Sequence, residues 1–492
     1  MGFHLREKEG NKRRVLAWAY SNESASNARH TPTMSYSRMK RRDFLSALAA
    51  SGAALAVGRY CENVSFGALG MEPFFEGEAR RLTEQCLSHF WDKDSKMFRA
   101  PVLSAETVAS DETHDRGYTF WASLLALHAL IEGEKIHSGL YSKQIALVYD
   151  GLEQYYSPQL HAYTSWIHFE GNNDAYYDDN SWAVITLVEA SLACSKATPE
   201  RAKQYLERAK TVMADFVVKG YDTTGKPGGM RWGTDASKPN TSDRGTSSTA
   251  GSALAALMLA RAHVNVAFYT KWGNELLSWL TTNLQDSDGL IMDALVEPDW
   301  AARRVKWTYN TGVTLRAYVE HYRLTKNRQS LALATKLARS ALDKKGGLYD
   351  QKVGDIAKRS FWDGTYFVHY LIDGLLQVAM VSPNKGVVED AHKAAAEAMQ
   401  YAYSNLRDPA DGMYWRNWRL YTIGEVQREQ WQKQTGQTIA PEYDASERSQ
   451  EAKFQGLPVV ERPLVKTLLA NAGMARLFWL VSQQKQMSRR GF

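Results

Sequence analysis

The sequence predicts an all-α fold, an (α/α)6 toroid of six helical hairpins. From about residue 72 onward, apolar residues recur at helical spacing. The predicted helices fall into two alternating classes, one apolar on nearly every side and one amphipathic. The all-apolar helices begin near residues 117, 178, 248, 309 and 363, so a similar unit returns about every 55–70 residues.

The predicted helices form six pairs, and in most pairs one helix has the all-apolar pattern of a buried helix. Helices covered on both sides form an inner ring, and helices covered on one side form an outer ring, which explains the two classes directly. An open helical solenoid would need repeats closer in sequence and a polar cap at each end. The apolar helices are predicted to start at Gly117, Asp178, Ser248, Tyr309, Asp363 and about Pro463, and the amphipathic ones at Phe74, Leu140, Glu200, Val266, Arg328 and Glu389.

The first 70 residues read as a leader and not as part of the toroid. Residues 1–38 are predicted to be a disordered extension or an over-called start, and residues 39–70 a twin-arginine signal peptide. The stretch MKRRDFLSALAASGAALAVG, Met39–Gly58, has paired arginines followed by a short apolar run. We therefore expect export by the twin-arginine route to a periplasmic or extracellular location. The apolar run is too short for stable membrane insertion after signal cleavage.

The rest of the chain, residues 71–492, is predicted to be a single toroid with an insertion at about 408–461. Its polar run QREQWQKQTGQ indicates an exposed excursion. Residues 1–43 hold 10 Lys and Arg against 4 Asp and Glu, which accounts for the whole net charge of +6. The toroid itself is neutral overall, which argues against nucleic acid as a partner. Three cysteines without a CxxC pair give no zinc ligand set, and no cofactor or metal is expected. A monomer is expected.

Four polar and aromatic loops precede inner helices and are predicted to meet at one end of the toroid. Long loops of this kind are more often functional than accidental. Flat rings with polar groups suit a carbohydrate, and 15 Trp and 25 Tyr make them abundant here. The expected partner is a polysaccharide or oligosaccharide substrate. The four loops are His161–Asp179, Lys226–Ser248, Asp286–Gly312 and Gly346–Gly364.

Two adjacent carboxylates, Asp178 and Asp179, stand where an inner helix is predicted to begin, within YYDDNSW. One Asp at such a place is an ordinary N-cap, which leaves the second unexplained. Glycoside hydrolysis needs one ionised and one protonated carboxyl, about 5–5.5 Å apart in retaining enzymes. Adjacent Cα atoms lie about 3.8 Å apart, so neighbouring side chains can hold that separation. The helix N-terminus favours one anion, while charge repulsion and aromatic burial raise the pKa of the other.

The motifs YYDDNSW (Tyr176–Trp182), GGMRW (Gly228–Trp232) and YNTG (Tyr309–Gly312), in this order, resemble glycoside hydrolase family 76, the endo-α-1,6-mannanases. GLIMD (Gly289–Asp293) adds a little to the likeness, which extends over roughly Phe74 to Leu480. The resemblance implies a retaining glycoside hydrolase that cleaves α-1,6-mannosidic linkages in mannan-type polysaccharide.

Carried over from the family, Asp178 is the nucleophile and Asp179 the general acid/base. The candidate substrate-binding residues are Tyr177, Asn180, Trp182, Trp232, Tyr309 and Asn310. For Trp182, core packing is an equally good interpretation of the sequence.

Three positions depart from the usual family pattern and leave the substrate open. Ala183 stands where a second Trp is common, Arg231 lies in a run that is usually more aromatic, and Thr311 replaces a Gln. Arg231 is compatible with a charged glycan or with an ordinary surface arginine.

Four alternatives stay open. One is a six-hairpin glycosidase for a different glycan, and the second is a transglycosidase, which shares the covalent intermediate. The third is a sugar epimerase that uses histidines such as His168 and His369 for proton transfer. The fourth is a non-catalytic glycan-binding toroid, against which the presence of both Asp argues.

Overall fold

The computed structural model describes residues 72–100, 119–167, 171–225, 227–449 and 451–483, all of which belong to one unit, Ser65–Phe492. The predicted extension 1–38, the signal segment Met39–Gly58, Cys61, His114 and His168 lie outside the described residues. Cys86 and Cys194 are both buried and unbonded. Among the helices that the structure describes, none is both long enough and apolar enough to cross a bilayer.

The described chain contains thirteen α-helices joined by short β-pairings. The helices are α1 (Glu72–His89), α2 (Phe120–Ile136), α3 (Ser142–Leu152), α4 (Tyr177–Cys194), α5 (Pro199–Asp215), α6 (Thr246–Arg261), α7 (Val266–Asn283), α8 (Thr308–Thr325), α9 (Arg328–Leu342), α10 (Thr365–Val381), α11 (Lys385–Tyr401), α12 (Glu425–Thr435) and α13 (Leu468–Ser482).

The predicted toroid is confirmed. Helices α2, α4, α6, α8, α10 and α13 each pack against the next, and α13 packs against α2, so the inner ring closes. Helices α3, α5, α7, α9 and α11 each pack outside the inner helix that precedes them, and α1 packs outside α13. The inner helices are buried along nearly their whole length, as their all-apolar sequences predict. The outer helices bury one face only, and Pro199 sits in the first turn of α5, where its missing N–H costs nothing.

Four of the six connections from an outer helix to an inner helix contain short antiparallel strands, and the connections before α10 and α13 contain isolated antiparallel bridges. The strands are β1 (Trp91–Asp92), β2 (Met97–Phe98), β3 (Tyr156–Ser157), β4 (Ala162–Tyr163), β5 (Tyr221–Asp222), β6 (Gly229–Met230), β7 (Arg244–Gly245), β8 (Ala294–Val296) and β9 (Ala301–Arg303). They pair as β1–β2, β3–β4, β5–β6 and β7–β8–β9. These pairings are too short to be read from a sequence pattern, and none was predicted.

The insertion predicted at about 408–461 is the connection from α11 to α13. Its polar run forms α12, in which Trp431 is buried against Tyr421 with ring centroids 5.2 Å apart, while most other side chains of α12 reach solvent. The predicted exposed segment is therefore a helix, and its one buried side chain, Trp431, packs it against the rest of the insertion.

The connections are joined to one another at the end of the toroid where the inner helices begin. The first N–H of each inner helix donates to the connection that leads into the next inner helix. The first N–H groups of a helix have no partner within the helix, so each of these bonds satisfies a backbone donor that would otherwise be unpaired. The donors and acceptors are Phe120 and Ser165 (3.0 Å), Tyr177 and Trp232 (2.8 Å), Thr246 and Asp293 (2.8 Å), Thr308 and the Asp363 carboxylate (2.7 Å), Thr365 and Arg416 (2.9 Å), and Leu468 and Ala100 (2.5 Å).

A buried ion-pair network crosses the axis of the ring. Arg316 of α8 donates to Glu189 of α4 and, over 3.0 Å, to Asp373 of α10. Arg476 of α13 donates to the same Asp373 oxygen at 2.5 Å. Burial disfavours a charged Asp373, yet Arg316 and Arg476 lower its pKa to about 2. The network therefore joins four inner helices through charges that are all paired.

Two inner helices touch through their backbones. A β-carbon at Gly312 of α8 would overlap the carbonyl group of Tyr370 on α10, and one at Gly374 would overlap the carbonyl of Gly312. Glycine is required at Gly312 because the obstacle is rigid backbone, and this contact fixes the height of Tyr370 in the ring.

We expect Gly312→Ala to lower the free energy of unfolding by about 1–3 kcal/mol, because α8 and α10 must separate to admit a methyl group. The matched control is Gly77→Ala in outer helix α1, where nothing lies within 4 Å of the new carbon. That change is expected to stabilise by roughly 0.5–1 kcal/mol through helix propensity. Urea unfolding followed by circular dichroism measures both, and equal midpoints for the two variants would contradict the close approach.

We expect Arg316→Met to cost about 3–5 kcal/mol, since it leaves Glu189 and Asp373 buried with one cation fewer. Arg201→Met removes an exposed pair with Asp150 (2.8 Å) and is expected to cost less than about 1 kcal/mol. The comparison of urea midpoints tests the network, and similar losses for both variants would argue against it.

Candidate active site

The carboxylate pair lies in the first turn of α4, at the end of the toroid where the six connections meet. Tyr176 is the N-cap residue, with an extended backbone and no side-chain capping bond. Asp178 and Asp179 are therefore the second and third residues of the helix, and neither of them is the N-cap. The interpretation of one Asp as an ordinary cap is thereby excluded. The helix dipole still favours negative charge at both positions.

Asp178 is held by hydrogen-bond donors on both oxygens. Its Oδ1 accepts the backbone N–H of Asp179 and its Oδ2 accepts the indole N–H of Trp232, both at 2.8 Å. The Ser247 hydroxyl, at the start of α6, also favours its ionised form. Burial raises the pKa of Asp178 above its ordinary value, and these donors oppose that rise.

Asp179 has a different environment. Its nearest side-chain donor is the Ser165 hydroxyl, at 3.4 Å from Oδ2. Burial and the negative charges of Asp178 and Asp174 raise its pKa well above the ordinary range. The two adjacent carboxyls therefore differ: Asp178 accepts hydrogen bonds from protein donors, whereas Asp179 faces carboxylates. A proton shared by the pair belongs on Asp179, and the charge on Asp178.

Trp232 is brought to the pair by its backbone. The connection between α5 and α6 runs antiparallel to the segment before α4, with a bridge between Tyr176 and Gly233. The carbonyl of Trp232 accepts the N–H of Tyr177 at 2.8 Å, and its ring lies 4.7 Å from the ring of Tyr176. Trp232 is half-buried, so part of the indole is exposed at the end of the toroid where the six connections meet, which is the candidate substrate cleft, while its N–H is used on Asp178.

Two of the predicted substrate-binding residues, Tyr177 and Trp182, lie away from the cleft or beneath it. Tyr177 is buried and stacks on Phe216, with centroids 4.7 Å apart. Trp182 is buried under the site and stacks on Tyr370 at 4.1 Å. The sequence left core packing open for Trp182, and that is where the structure places it.

The side chain of Asn180 is fully engaged with backbone. Its amide accepts from the N–H of Tyr163 and donates to the carbonyls of Tyr163 and Tyr176 at 2.8–2.9 Å. Asn471, at the same place in α13, makes the same exchange with the backbone of Tyr414. Asn180 is thus a repeated structural device that ties a connection to its helix, and this geometry gives no support to a substrate contact.

Tyr309 and Asn310 are also buried, at the start of α8. The Tyr309 ring lies 4.2 Å from the ring of Phe367. The Asn310 amide lies beside the Asp293 carboxyl, whose pKa burial raises to about 6 against the opposing effect of Arg303 at 3.1 Å. These two residues support the wall of the cleft, and their predicted contacts with substrate stay predictions.

A second group of rings stands at the same end of the toroid and was not predicted residue by residue. Trp307 and Trp362 stack with centroids 4.6 Å apart, and Arg419 of the insertion lies over Trp362 at 5.4 Å. Trp121 packs against Tyr366 and Phe367 of α10 at 5.7 and 5.9 Å. Trp121, Trp307 and Trp362 are half-buried, which makes them candidate wall residues of the cleft.

Sequence reasoning also missed residues that hydrogen-bond the pair or act on it through their charge. Ser165 and Asp174 lie in the first predicted loop and Ser247 in the second, but polar residues are common in those loops and nothing marked these three. Tyr370 lies within α10 and faces Asp179 electrostatically. Only the packing of α10 against α8 brings it there.

Arg231 follows β6 and bridges to Arg244, and because side chains alternate along such an extended segment it is expected on the face opposite Trp232. It lies close to Asp222 and Arg244, and the Asp222 carboxylate meets the charge on both. This placement favours the ordinary structural interpretation of Arg231 over a contact with a charged glycan.

One group of side chains has the spacing of a metal site. Ligand atoms of His128, Glu132 and Glu189 lie within 4.8 Å of one another in the buried network. The Lys135 ammonium, however, lies 2.9 Å from Glu189 and 3.1 Å from Glu132. The group therefore already contains its own cation.

Comparison with known proteins places the chain among glycoside hydrolases. The family model described as "Glycosyl hydrolase family 76" matches residues 77–448. Among curated proteins, the "Meiotically up-regulated gene 191 protein" of Schizosaccharomyces pombe is 29% identical over 430 residues, covering 84% of this chain and 93% of that protein.

Solved structures share the fold at low identity. An α-mannanase of family 76 from Bacteroides thetaiotaomicron has a TM-score of 0.63 and 20% identity, covering 84% of this chain and 97% of the other. An α-1,6-mannanase of family 76 from a Salegentibacter species has a TM-score of 0.59 and 18% identity, covering 83% and 99%. A variant of the latter, described as inactive with two adjacent aspartates replaced by asparagine, is in complex with α-1,6-mannotriose.

We expect Trp232→Phe to raise the pKa of Asp178 by about one to two units, because the ionised carboxylate loses a charge-assisted donor. Carboxyl ¹³C NMR titration of aspartate-labelled protein measures this shift, with Asp178→Asn to assign the signal. Trp362→Phe is the matched control, since its indole N–H donates to the backbone carbonyl of Lys306 at 3.1 Å. An unchanged Asp178 titration in Trp232→Phe would show that the indole does not stabilise the charge.

Proposed function

The chain belongs to glycosyl hydrolase family 76, and from that premise we propose that this mannanase-like glycoside hydrolase cleaves α-1,6-mannosidic linkages with retention of configuration. Asp178 is the nucleophile and Asp179 the general acid/base. The observation that carries the proposal is the unequal environment of the two adjacent carboxyls. Asp178 accepts two N–H donors at 2.8 Å, whereas Asp179 faces two carboxylates.

In the first step an Asp178 oxygen attacks the anomeric carbon, and the bond from that carbon to the glycosidic oxygen breaks. The Asp179 proton passes to the departing oxygen, so the leaving sugar departs as a neutral alcohol. The raised pKa of Asp179 keeps that proton available near neutral pH. The donors on Asp178 keep the nucleophile ionised and fixed in orientation.

In the second step Asp179, now a carboxylate, takes a proton from water. The resulting oxygen nucleophile attacks the anomeric carbon and releases Asp178 as its carboxylate. Both inversions occur at the same carbon, so the product keeps the configuration of the substrate. Asp179 ends the cycle protonated, as it began.

Two observations support a mannan-type substrate. The Salegentibacter relative is named an α-1,6-mannanase, and its doubly substituted variant is in complex with α-1,6-mannotriose. In this chain, half-buried rings of Tyr176 and Trp232 stand beside the pair, as surfaces on which a sugar ring can pack.

Two of the alternative functions, a sugar epimerase and a transglycosidase, differ in how far the site is compatible with them. His369, one of the two histidines that favoured an epimerase, is buried in the ion-pair network and bonded to Arg476 at 2.8 Å. Burial and the charge of Arg476 lower its pKa well below the ordinary value, and it does not reach the pair. A transglycosidase shares the first step, so the acceptor of the second step has to be measured.

We expect the full-length protein to release short mannooligosaccharides from linear α-1,6-mannan, detected by mass spectrometry. Asp178→Asn and Asp179→Asn are each expected to lower kcat by about 10²-fold or more. An aryl α-mannoside with a good leaving group needs little acid assistance, so Asp179→Asn should keep more activity on it than Asp178→Asn does. ¹H NMR of the first product should show the α-anomer.

The control is Asp355→Asn, which alters an exposed carboxylate that accepts the N–H of Ala357 in the connection before α10. It should leave kcat unchanged. No cleavage by a folded wild type would remove mannan hydrolysis as the function, and full activity in either pair variant would remove its assigned role. Sugars longer than the substrate would identify a transglycosidase.

Export by the twin-arginine route stays a prediction from Met39–Gly58. Cell fractionation of the intact protein against a variant with Lys in place of Arg41 and Arg42 tests it.

A further inference from the structure

A third carboxylate, Asp174, lies four residues before the catalytic pair and is heavily bonded. Its Oδ2 accepts the indole N–H of Trp166 at 3.0 Å, and its Oδ1 is 2.6 Å from the Lys238 ammonium. It also bonds the Tyr176 hydroxyl and affects its ionisation. Its own N–H donates to the side chain of Asn172 at 3.1 Å, which fixes the turn. The Asp174 side chain is only 12% exposed.

Backbone pairing brings Lys238 to Asp174. The segment before α4 and the connection before α6 run antiparallel, with the N–H of Thr234 donating to the carbonyl of Ala175 at 3.1 Å. The Thr234 hydroxyl donates to the carbonyl of Asn173 at 2.8 Å. The same pairing places Trp232 on Asp178. One paired unit therefore supplies a donor to the nucleophile and a cation to the third carboxylate.

The charges around Asp179 come from several elements. From its own helix and the segment before it, Asp179 faces Asp178, Asp174 and the Tyr176 phenol. From α10 it faces the Tyr370 phenol, and from the connection before α4 the Ser165 hydroxyl. These groups are either anions or neutral at neutral pH, so Asp174 adds to the negative potential there.

We propose that Asp174, clamped by Lys238, is a positioning residue of this site: its negative charge keeps the proton on Asp179, and its bonds hold Trp166 and Tyr176 in the cleft wall. This inference rests on the proposed role of Asp179 as general acid/base. The negative charge of Asp174 disfavours a second anion nearby, and Lys238 limits that effect by partly neutralising Asp174. Lys238 is 29% exposed, so solvent weakens its influence.

The proposal predicts opposite effects for the two members of the clamp. Asp174→Asn keeps an oxygen for Trp166 and removes the charge, so the pKa of Asp179 falls. Lys238→Met keeps the apolar stem and removes the opposing charge, so the pKa of Asp179 rises. We expect shifts of about half a unit to one unit in each direction.

Two measurements on the full-length protein test this. Carboxyl ¹³C NMR of aspartate-labelled protein gives the titration midpoint of Asp179, assigned with Asp179→Asn. The pH profile of kcat on α-1,6-mannan gives the basic limb, which should move to lower pH in Asp174→Asn and to higher pH in Lys238→Met. Asp355→Asn, at an exposed position on the connection before α10, is the charge-matched control and should move neither.

A purely structural role for Asp174 would lower kcat without moving the limb or the NMR midpoint, and would overturn the proposal. Shifts of the same sign in both variants would also overturn it. If Asp174→Asn does not fold, an unshifted midpoint in Lys238→Met is sufficient to overturn it. Because the NMR titration needs no turnover, opposite shifts in a protein that does not cleave mannan would support the clamp and reject the mannanase function separately.

Discussion

The site depends on the six hydrogen bonds that run from the first N–H of each inner helix to the connection leading into the next. Five of the six inner helices have no side-chain hydrogen bond at the N-cap. Their first backbone N–H would therefore be unpaired without the connection that leads into the next inner helix. A bond of this kind contributes only about 1 kcal/mol, yet an unpaired buried N–H costs more, so each connection is held to its neighbour. The closed ring of helices therefore also forms a closed ring of hydrogen-bonded connections. These bonds fix the shape of the cleft that the connections surround.

Two of these six bonds deliver the partners of the carboxylate pair. The bond from Tyr177 to the carbonyl of Trp232 sets the indole N–H against Asp178. The bond from Phe120 to the carbonyl of Ser165 sets a hydroxyl near Asp179. Each carboxyl therefore receives its donor from a different connection, and the donors differ in strength, with one at 2.8 Å and the other at 3.4 Å. The difference between two chemically identical neighbours thus originates in the way the toroid is closed.

The fold could be predicted from sequence because coverage by one or by two layers leaves a direct record in hydrophobicity, and the pair could be predicted because two adjacent Asp at a helix start have no ordinary structural use. The direction in which an individual side chain points could not be predicted from the sequence. A step of about 100° along a helix separates Tyr177, which points outward onto Phe216, from Asp178 beside it. Asn180 is predicted as a substrate-binding residue, but its amide is bonded to the backbone of the connection. Nothing in the sequence pattern marks Asp174, because the Lys238 ammonium that pairs with it comes 64 residues later in the chain.

The three departures from the family pattern can now be weighed by where they lie. Ala183 and Thr311 are wholly buried within inner helices, and Arg231 lies close enough to Asp222 to lower the pKa of that carboxyl. None of the three contacts a carboxylate of the pair through its side chain in the described structure. A change of packing behind a site alters the shape of a wall, whereas the chemistry follows the donors and charges at the reacting atoms. The departures therefore bear on which glycan fits the cleft, while the proposed roles of nucleophile and acid depend on the pair, the hydrogen-bond donors around it and the charge of Asp174.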